Sequence, residues 1–453
     1  MLIHPPHSRR RACLIAALLA PATLAASPPN VVAHPQAAAT ALCAGEPMPV
    51  LDTPHTLRCA LDFGIVGTGS DVTQQLSNAL DTLKREQARL FLPAGTYGIR
   101  VALDLPAGTG LVGSTVGRTR LINHSDPWQL SANTSTLGLG GDPGSRDDTL
   151  VQQLHLDNVR MLVSPGGRVT IRRNVLRGLT SELQQLVLHG GGQRVVEDNV
   201  FWRESSTTAG VGIDVFTPTG MTFDGGTTIR NNLIGAVDLD KLGPGQAEVA
   251  TQLARNAMDR QAPERLGHYT TAMRLFGSAN THIEGNVIAS RAQFQIPLQP
   301  RPRFYPLAVF AAADHLTLIG NTFRGGPNRV VALASRSDVD VRQNIFFNAR
   351  LRVDAVNGLP TKRTVVQDNW FRGKGVTVKI AVNGSGPDHT SPDDLSIIGN
   401  VVSAVSRSAV PPACGYRLRP PRAGTRNFAV EPGRGLSFAT VPVVGEPAPA
   451  CVR

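Results

Sequence analysis

The stretch Val169-Thr170-Ile171-Arg172-Arg173-Asn174-Val175-Leu176 decides the fold, because the chain keeps repeating it. The phrase returns at 194–201 around Asn199, at 227–234 around Asn232, and at 281–288 around Asn286. It returns again around Asn321, Asn344, Asn369 and Asn400, with a shorter copy at 154–159 around Asn158. The asparagine spacings are 16, 25, 33, 54, 35, 23, 25 and 31 residues. Each copy is a β-branched run, a polar turn and a second short apolar run, a strand pattern and not a helical one. A unit of about 23–25 residues is one coil of a solenoid. Asparagine tolerates the left-handed backbone that a sharp corner demands. Stacked coils would place the amides above one another, each bonding to the next. The phrases therefore predict an all-β, single-stranded right-handed parallel β-helix. An ordinary β-sandwich with asparagine in its turns is the competing reading.

Working outward, the N-terminus carries Arg9, Arg10 and Arg11 before an apolar run over 12–20 and small residues to Ala26. That is the pattern of an export signal, expected over 1–26. No other apolar run is long enough to span a membrane. The mature chain then holds Cys43, Cys59, Cys414 and Cys451, an even number in an oxidising compartment. Pairing by proximity predicts Cys43–Cys59 and Cys414–Cys451, one staple at each end of the solenoid. Free thiols are the alternative. A secreted or periplasmic location is expected, and a monomer.

The formal net charge is +11, and it is +8 once Arg9, Arg10 and Arg11 are removed, with no acid lost. Such a basic exported protein suits an acidic polysaccharide as partner. Nucleic acid is disfavoured, because no basic cluster with interleaved aromatics appears. Arginine bias without any partner behind it would give the same charge.

Residues 27–60 read as an extension ending in the first cysteine pair. Next come Asp62-Phe63-Gly64, Gly67-Thr68-Gly69-Ser70-Asp71, and apolar Val72, Leu76, Ala79, Leu80 and Leu83. That periodicity predicts an amphipathic helix over 72–88 with Ser70 or Asp71 as N-cap. A strand and turn follow at 90–97, ending Pro93-Ala94-Gly95-Thr96-Tyr97. This run resembles the N-terminal cap of the pectate-lyase-like superfamily, with Thr68 where that family usually has Asp. The resemblance covers residues 61 to about 405 and implies a β-helix closed by a capping helix. It does not select an activity, since that superfamily holds lyases, hydrolases, esterases, epimerases and non-catalytic spikes.

The repeat is interrupted at 235–268, which contains Asp238, Asp240 and Lys241, and at 291–306, which contains Arg291, Arg301, Arg303, Phe304 and Tyr305. Excursions from a solenoid tend to emerge on a binding face. Residues 406–453 are rich in Pro and Arg and read as an irregular tail. The acid sets of polygalacturonase-like hydrolases, the Arg-x-Pro-x-x-Arg of pectate lyases and the Asp-Pro-His-Asp of alginate-type epimerases are missing. No His or Cys metal cluster appears, so no cofactor is expected, with Ca²⁺ left open.

Strand alternation supplies the candidate site. Before Asn199, Leu186 and Leu188 point inward and His189 outward. In the next coil Asp214 points outward, and in the one after, Arg274. Stacking would bring His189, Asp214 and Arg274 onto one exposed face, with Lys241 and Tyr269 supplied by the first excursion. Arg274 would pair with a uronate carboxylate, and His189, Tyr269 or Lys241 would remove the α-proton. A solvated His and an ordinary surface ion pair are the bland readings of the same residues. A second lane, three positions after the asparagines, holds Arg177, Arg324 and Arg372, with Arg203 one further on. Together with Arg291, Arg303 and Tyr305 it would bind the polymer. The reading is a polysaccharide lyase or uronate epimerase. A non-catalytic glycan-binding or surface-scaffold protein is the second class, and a glycoside hydrolase is the third.

Overall fold

A computed structural model describes residues 42–440 except 53–54, 125–135, 141–146, 179–183, 204–210, 218–224, 236–270, 290–306, 334–336, 355–361, 373–379, 384–392, 404–415, 419–428 and 431–437. Among the described residues there is one α-helix; apart from a short hairpin at Leu42–Pro47, the strands pair in parallel. The fold is a parallel β-helix. Each coil contributes one strand to each of three ladders, here called sheets A, B and C.

Sheet A runs through Arg168–Arg172, Gln193–Glu197 and Thr227–Arg230. Sheet B runs through Val175–Gly178, Val200–Arg203 and Leu233–Ile234. Sheet C runs through Arg160–Val163, Leu186–His189, Val211–Phe216 and the first half of Thr271–Glu284. Alternation puts every second side chain into the interior. In sheet A these are Ile171, Val196, Ile229, Ile283, Leu318, Val341 and Val366, all fully buried. In sheet B, Phe323, Phe346 and Phe371 stack in successive coils with centroids 5.0 and 4.6 Å apart. Burying each such side chain contributes roughly 1.5–3 kcal/mol.

The corner from A to B holds the asparagines, but in a different role from the expected one. The left-handed residue is the one before each asparagine: Arg173 (φ 56), Asp198 (55), Asn231 (54), Gln343 (54), Asp368 (52), and Gly285, Gly320 and Gly399. The asparagine itself turns inward. Asn174, Asn199, Asn232, Asn286, Asn321, Asn344, Asn369 and Asn400 are all fully buried. Asn174 donates its backbone N–H (2.9 Å) and its Nδ2 (3.0 Å) to Oδ1 of Asn199, and its Nδ2 also to the Val151 carbonyl (2.9 Å). The same three bonds recur at each step down to Asn400. A buried amide is tolerable only when so satisfied. Asn158 is not a rung. It is itself left-handed at φ 56, and the ladder starts from the Leu154 N–H donating to Oδ1 of Asn174 (3.0 Å).

Helix α1, Thr73–Glu86, buries Leu76, Ala79, Leu80 and Leu83 in the solenoid core, as the resemblance implied. Asp71 accepts from the Thr73 N–H (3.0 Å) at its start. The Cys43–Cys59 disulfide is present, with Cα atoms 5.5 Å apart. Its segment is not separate from the solenoid, because Leu57–Cys59 pairs with Arg89–Phe91 as the first strand of sheet A. Cys43, Cys59, Met48, Leu51 and Leu57 cover the outer face of the first coils, where Phe91, Val112 and Leu150 are apolar. The C-terminal region also departs from expectation. Tyr416–Leu418, Ala429–Val430 and Phe438–Thr440 continue the ladders, so the irregular tail expected from 406 still contains solenoid strands. They carry no asparagine phrase, and so gave no signal. Cys414 and Cys451 lie outside the described residues.

Candidate functional site

The three corners differ in how much chain they take. From A to B the connection is two residues in every coil from Gln152 to Val401, each time a left-handed residue followed by the ladder position. From B to C the connections range from none, where Thr322–Leu333 and Ile345–Asp354 run straight through, and two residues at 158–159, to 179–185, 204–210, 235–270, 290–306, 373–379 and 404–415. From C to A they include 190–192, 217–226, 355–361, 384–392 and 419–428. Both edges of sheet C are therefore where chain length varies. Its outer face is the place for variable chemistry on a fixed frame.

On that face, the register places Val187 opposite Asp214 and Asp214 opposite Arg274. The expected neighbours are thus real neighbours. Ile213, Val215, Met273 and Leu275 are fully buried in the core, which turns Asp214 and Arg274 out of the solenoid. Asp214 is nonetheless not exposed: its side chain is 3% accessible, against 40% for Arg274. Arg274 grips it in a bidentate pair, Nε to Oδ1 at 2.8 Å and Nη2 to Oδ2. Those hydrogen bonds hold the guanidinium above its ordinary range. The fork expected to take a substrate carboxylate is thus occupied by one from the protein.

His189 lies on the same face but two residues along from this row, opposite Phe216. The two rings meet edge to face at 5.8 Å. Burial pushes the imidazole below its usual pKa, Arg160 and Arg194 add to this, and Asp214 opposes it. Below its ordinary value the ring is neutral at neutral pH, the form that accepts a proton. Arg194, 1% exposed, donates to the carbonyls of Gly191 (3.0 Å) and His189 and so fixes the end of that strand. Burial brings the Arg194 guanidinium down to about 10.

Arg160 is the residue the sequence reading missed. Met161 and Val163 are core residues, so Arg160 and Leu162 face outward in the coil before His189. Burial lowers Arg160, and Asp214 pulls it back up. The alternation that located His189, carried back one more coil, would have found it.

Lys241, Tyr269, Arg291, Arg301, Arg303, Phe304 and Tyr305 lie outside the described residues. The backbone of Arg203 pairs with Gly178 in sheet B. Arg324 and Arg372 do share one register row, through Phe347. Arg177 lies on that row's earlier part, between Asp157 and Trp202. The arginine lane is therefore interrupted by Trp202 and Phe347 and is not a continuous line of guanidinium groups. Among the described residues, no three His, Cys, Asp or Glu side chains converge as a metal site. No described helix is long and apolar enough to cross a membrane.

No family model matches the chain, and no curated protein matches it in sequence. Among solved structures it is similar to PfbA, a surface adhesin of Streptococcus pneumoniae. That likeness is 12% identical, covers 87% of this chain and 94% of that one, and has a TM-score of 0.50. The DFA-IIIase of Arthrobacter chlorophenolicus A6 without its lid, in complex with GF2, aligns at 12% identity over 80% and 94%, with a TM-score of 0.45. The catalytic unit of a thermostable GH87 alpha-1,3-glucanase from Streptomyces thermodiastaticus strain HF3-3 aligns at 13% identity over 81% and 70%, with a TM-score of 0.40. Likeness at these identities speaks for the β-helix and for nothing finer. The resemblance to the pectate-lyase-like superfamily stands at that level too.

Proposed function

We propose that this is an exported β-helix protein that acts on an acidic polysaccharide along the outer face of sheet C, as a lyase or uronate epimerase. The observation that carries this reading is a half-buried His189, held below its usual pKa among arginines, on the face whose two edges take the variable connections. In the proposed reaction, neutral His189 takes the proton from the carbon next to the uronate carboxyl. The electron pair forms a carbon–carbon double bond as the glycosidic oxygen at the β-carbon leaves and is protonated by water. Return of a proton to the opposite face, with that bond intact, gives the epimer. Arginines beside the ring stabilise the enolate charge that both routes share.

The decisive experiment incubates the mature protein with a panel of acidic polysaccharides, with and without Ca²⁺. It follows both the ultraviolet absorbance of the unsaturated product and solvent exchange at the α-carbon. A signal on one polymer that His189→Ala abolishes is the expected result. Absence of both signals across the panel sinks the reading.

A second reading, binding without turnover, draws on the Asp214–Arg274 pair. A carboxylate 3% exposed and gripped by two hydrogen bonds is placed to hold a surface and not to cycle protons. PfbA, similar over most of both chains, is itself described as a surface adhesin. Retention on an acidic polymer without conversion is its signature. A hydrolytic acid pair would have to join Asp214 to a second carboxylate, and the candidates Asp238 and Asp240 lie outside the described residues.

A further inference from the structure

We infer that Arg160 is the anion-recognising residue of the sheet C site and takes one ring-borne carboxylate of an acidic sugar. The inference rests on the sheet C reading and names the group that selects its substrate. It starts from a charge count. Arg274 and Asp214 neutralise one another at hydrogen-bonding distance. His189 is neutral near pH 7. Arg194, the other cation acting on His189, is 1% exposed and donates to the Gly191 and His189 carbonyls, so among the described residues Arg160 is left as the outward-facing cation, on the strand Arg160–Val163.

Among the described residues no carboxylate is hydrogen-bonded to Arg160. The Nε of Arg160 is buried and makes no hydrogen bond. The neighbouring coil places Gln185 next to it, since the Met161 N–H donates to the Gln185 carbonyl (2.9 Å). Gln185 turns its amide away, donating to the carbonyls of Trp202 (2.7 Å) and Leu176 (3.1 Å). One coil further, the equivalent position is Gly212, which offers no side chain at all. Asp214 acts on Arg160 through its charge, but both of its oxygens are bonded to Arg274.

The buried Nε is out of a ligand's reach, but the charge it shares is left without a hydrogen-bonded anion among the described residues, and the terminal Nη1–Nη2 fork matches a carboxylate. Water is a poorer partner there, because it brings no charge into a partly dry site. Arg160 also depresses His189, so it lies within electrostatic reach of the proposed base. In the register Arg160 stands in the Gln185 row and His189 four residues further along, with the Asp214 row between them, so a sugar carboxylate on Arg160 lies across that row from the ring. Arg160 is then a specificity-determining residue, and Arg274 a strut that keeps Asp214 from competing for the substrate's place.

The test titrates glucuronate and, separately, glucose into the whole mature protein while following the His189 ring by NMR. Wild type, Arg160→Gln and Arg342→Gln are compared. Arg342 is an exposed sheet A arginine paired with Asp340, and serves as the control for simple loss of charge. Wild type and Arg342→Gln are expected to bind glucuronate saturably and glucose at least tenfold more weakly. Arg160→Gln is expected to lose about 10- to 100-fold in glucuronate affinity, the usual range for one charge-assisted contact. The ligand-free Arg160→Gln protein supplies an independent readout, since removal of one depressing cation must raise the His189 pKa.

Unchanged glucuronate affinity in Arg160→Gln, no glucuronate binding in wild type, or an unmoved His189 pKa would each overturn the inference. Failure of the broader reading looks different. Arg160-dependent glucuronate binding without conversion of any polymer leaves Arg160 as the recognition residue and removes only the enzymatic claim.

Discussion

The corner between sheets A and B and the outer face of sheet C belong to the same coils, yet they treat polar groups in opposite ways. At the corner every amide is paired, and the same three bonds recur at 2.8–3.0 Å from one coil to the next. On sheet C, one carboxylate is locked to one arginine while a second arginine and a histidine keep bonding capacity in hand. The difference separates polar residues that build the frame from polar residues that meet a ligand. Satisfaction marks the first kind, and an uncompensated, partly buried charge marks the second.

The largest expected effect comes from breaking the corner. Asn344→Ala leaves the Asn321 N–H without an acceptor, takes one of the two acceptors of the Asn321 Nδ2, which keeps the Ile283 carbonyl, and removes the Nδ2 donor from the Leu318 carbonyl and from Asn369 Oδ1. At roughly 1–3 kcal/mol for each buried group left unpaired, a loss of about 4 kcal/mol is expected. Denaturant unfolding measures it, and a loss below about 1 kcal/mol would show that the ladder is decorative.

A mid-sized effect tests a third setting, a half-buried histidine on sheet B. His155 is pushed down to about 4, chiefly by burial, with Arg118 and Arg120 adding and Asp157 opposing. The unfolded chain, titrating near 6.5, binds the proton first. Stability from this group is therefore complete above about pH 6.5 and is lost as pH falls towards 4. Up to about 3 kcal/mol is at stake, at 1.36 kcal/mol for each pKa unit. His155→Gln should flatten the pH dependence of the unfolding midpoint across that window, and an unaltered slope would rule the assignment out.

The smallest effect sharpens the contrast at a single corner. Gln343 is exposed and held at φ 54, next to buried Asn344. Gln343→Gly relieves the left-handed strain, costs some unfolded-chain entropy, and should stabilise by about 0.5 kcal/mol. Two neighbouring residues would then respond with opposite signs, and the unfolding midpoints of the pair report it directly.

Much of this frame is legible in the residues alone, because the ladder asparagines recur beside core positions that are apolar in every coil. Their conformational role was misread. The eye falls on asparagine as the left-handed residue, while burial needs it inside and leaves the strain to Arg173, Asp198 or Gln343. Asn158 fitted the phrase by composition and failed by register, since the matching position is Leu154. The last strands, Tyr416–Leu418 and Phe438–Thr440, are too short to stand out from a Pro-rich background. At the candidate site, alternation placed Asp214 beside Arg274. It had no means to show that the pair saturates itself, because hydrogen-bond geometry is decided by side-chain packing and not by spacing. Arg160 was within reach of the same alternation, since its strand stands before the Asn174 phrase as Leu186–His189 stands before the Asn199 phrase.

The ladder has a further consequence. Along the chain the asparagine spacing varies from 23 to 54 residues, while the Asn–Asn contact stays near 3.0 Å. The corner thus works as a ruler whose graduations ignore how much chain is looped out between them. Each amide points its oxygen back and its nitrogen onward, so the ruler also has a direction, and a coil can join only in one orientation. Growth or loss of loops at the edges of sheet C leaves those graduations untouched. Whole coils could be inserted or deleted at an asparagine without redesigning the junction. Length of frame and content of site can therefore change separately in this molecule.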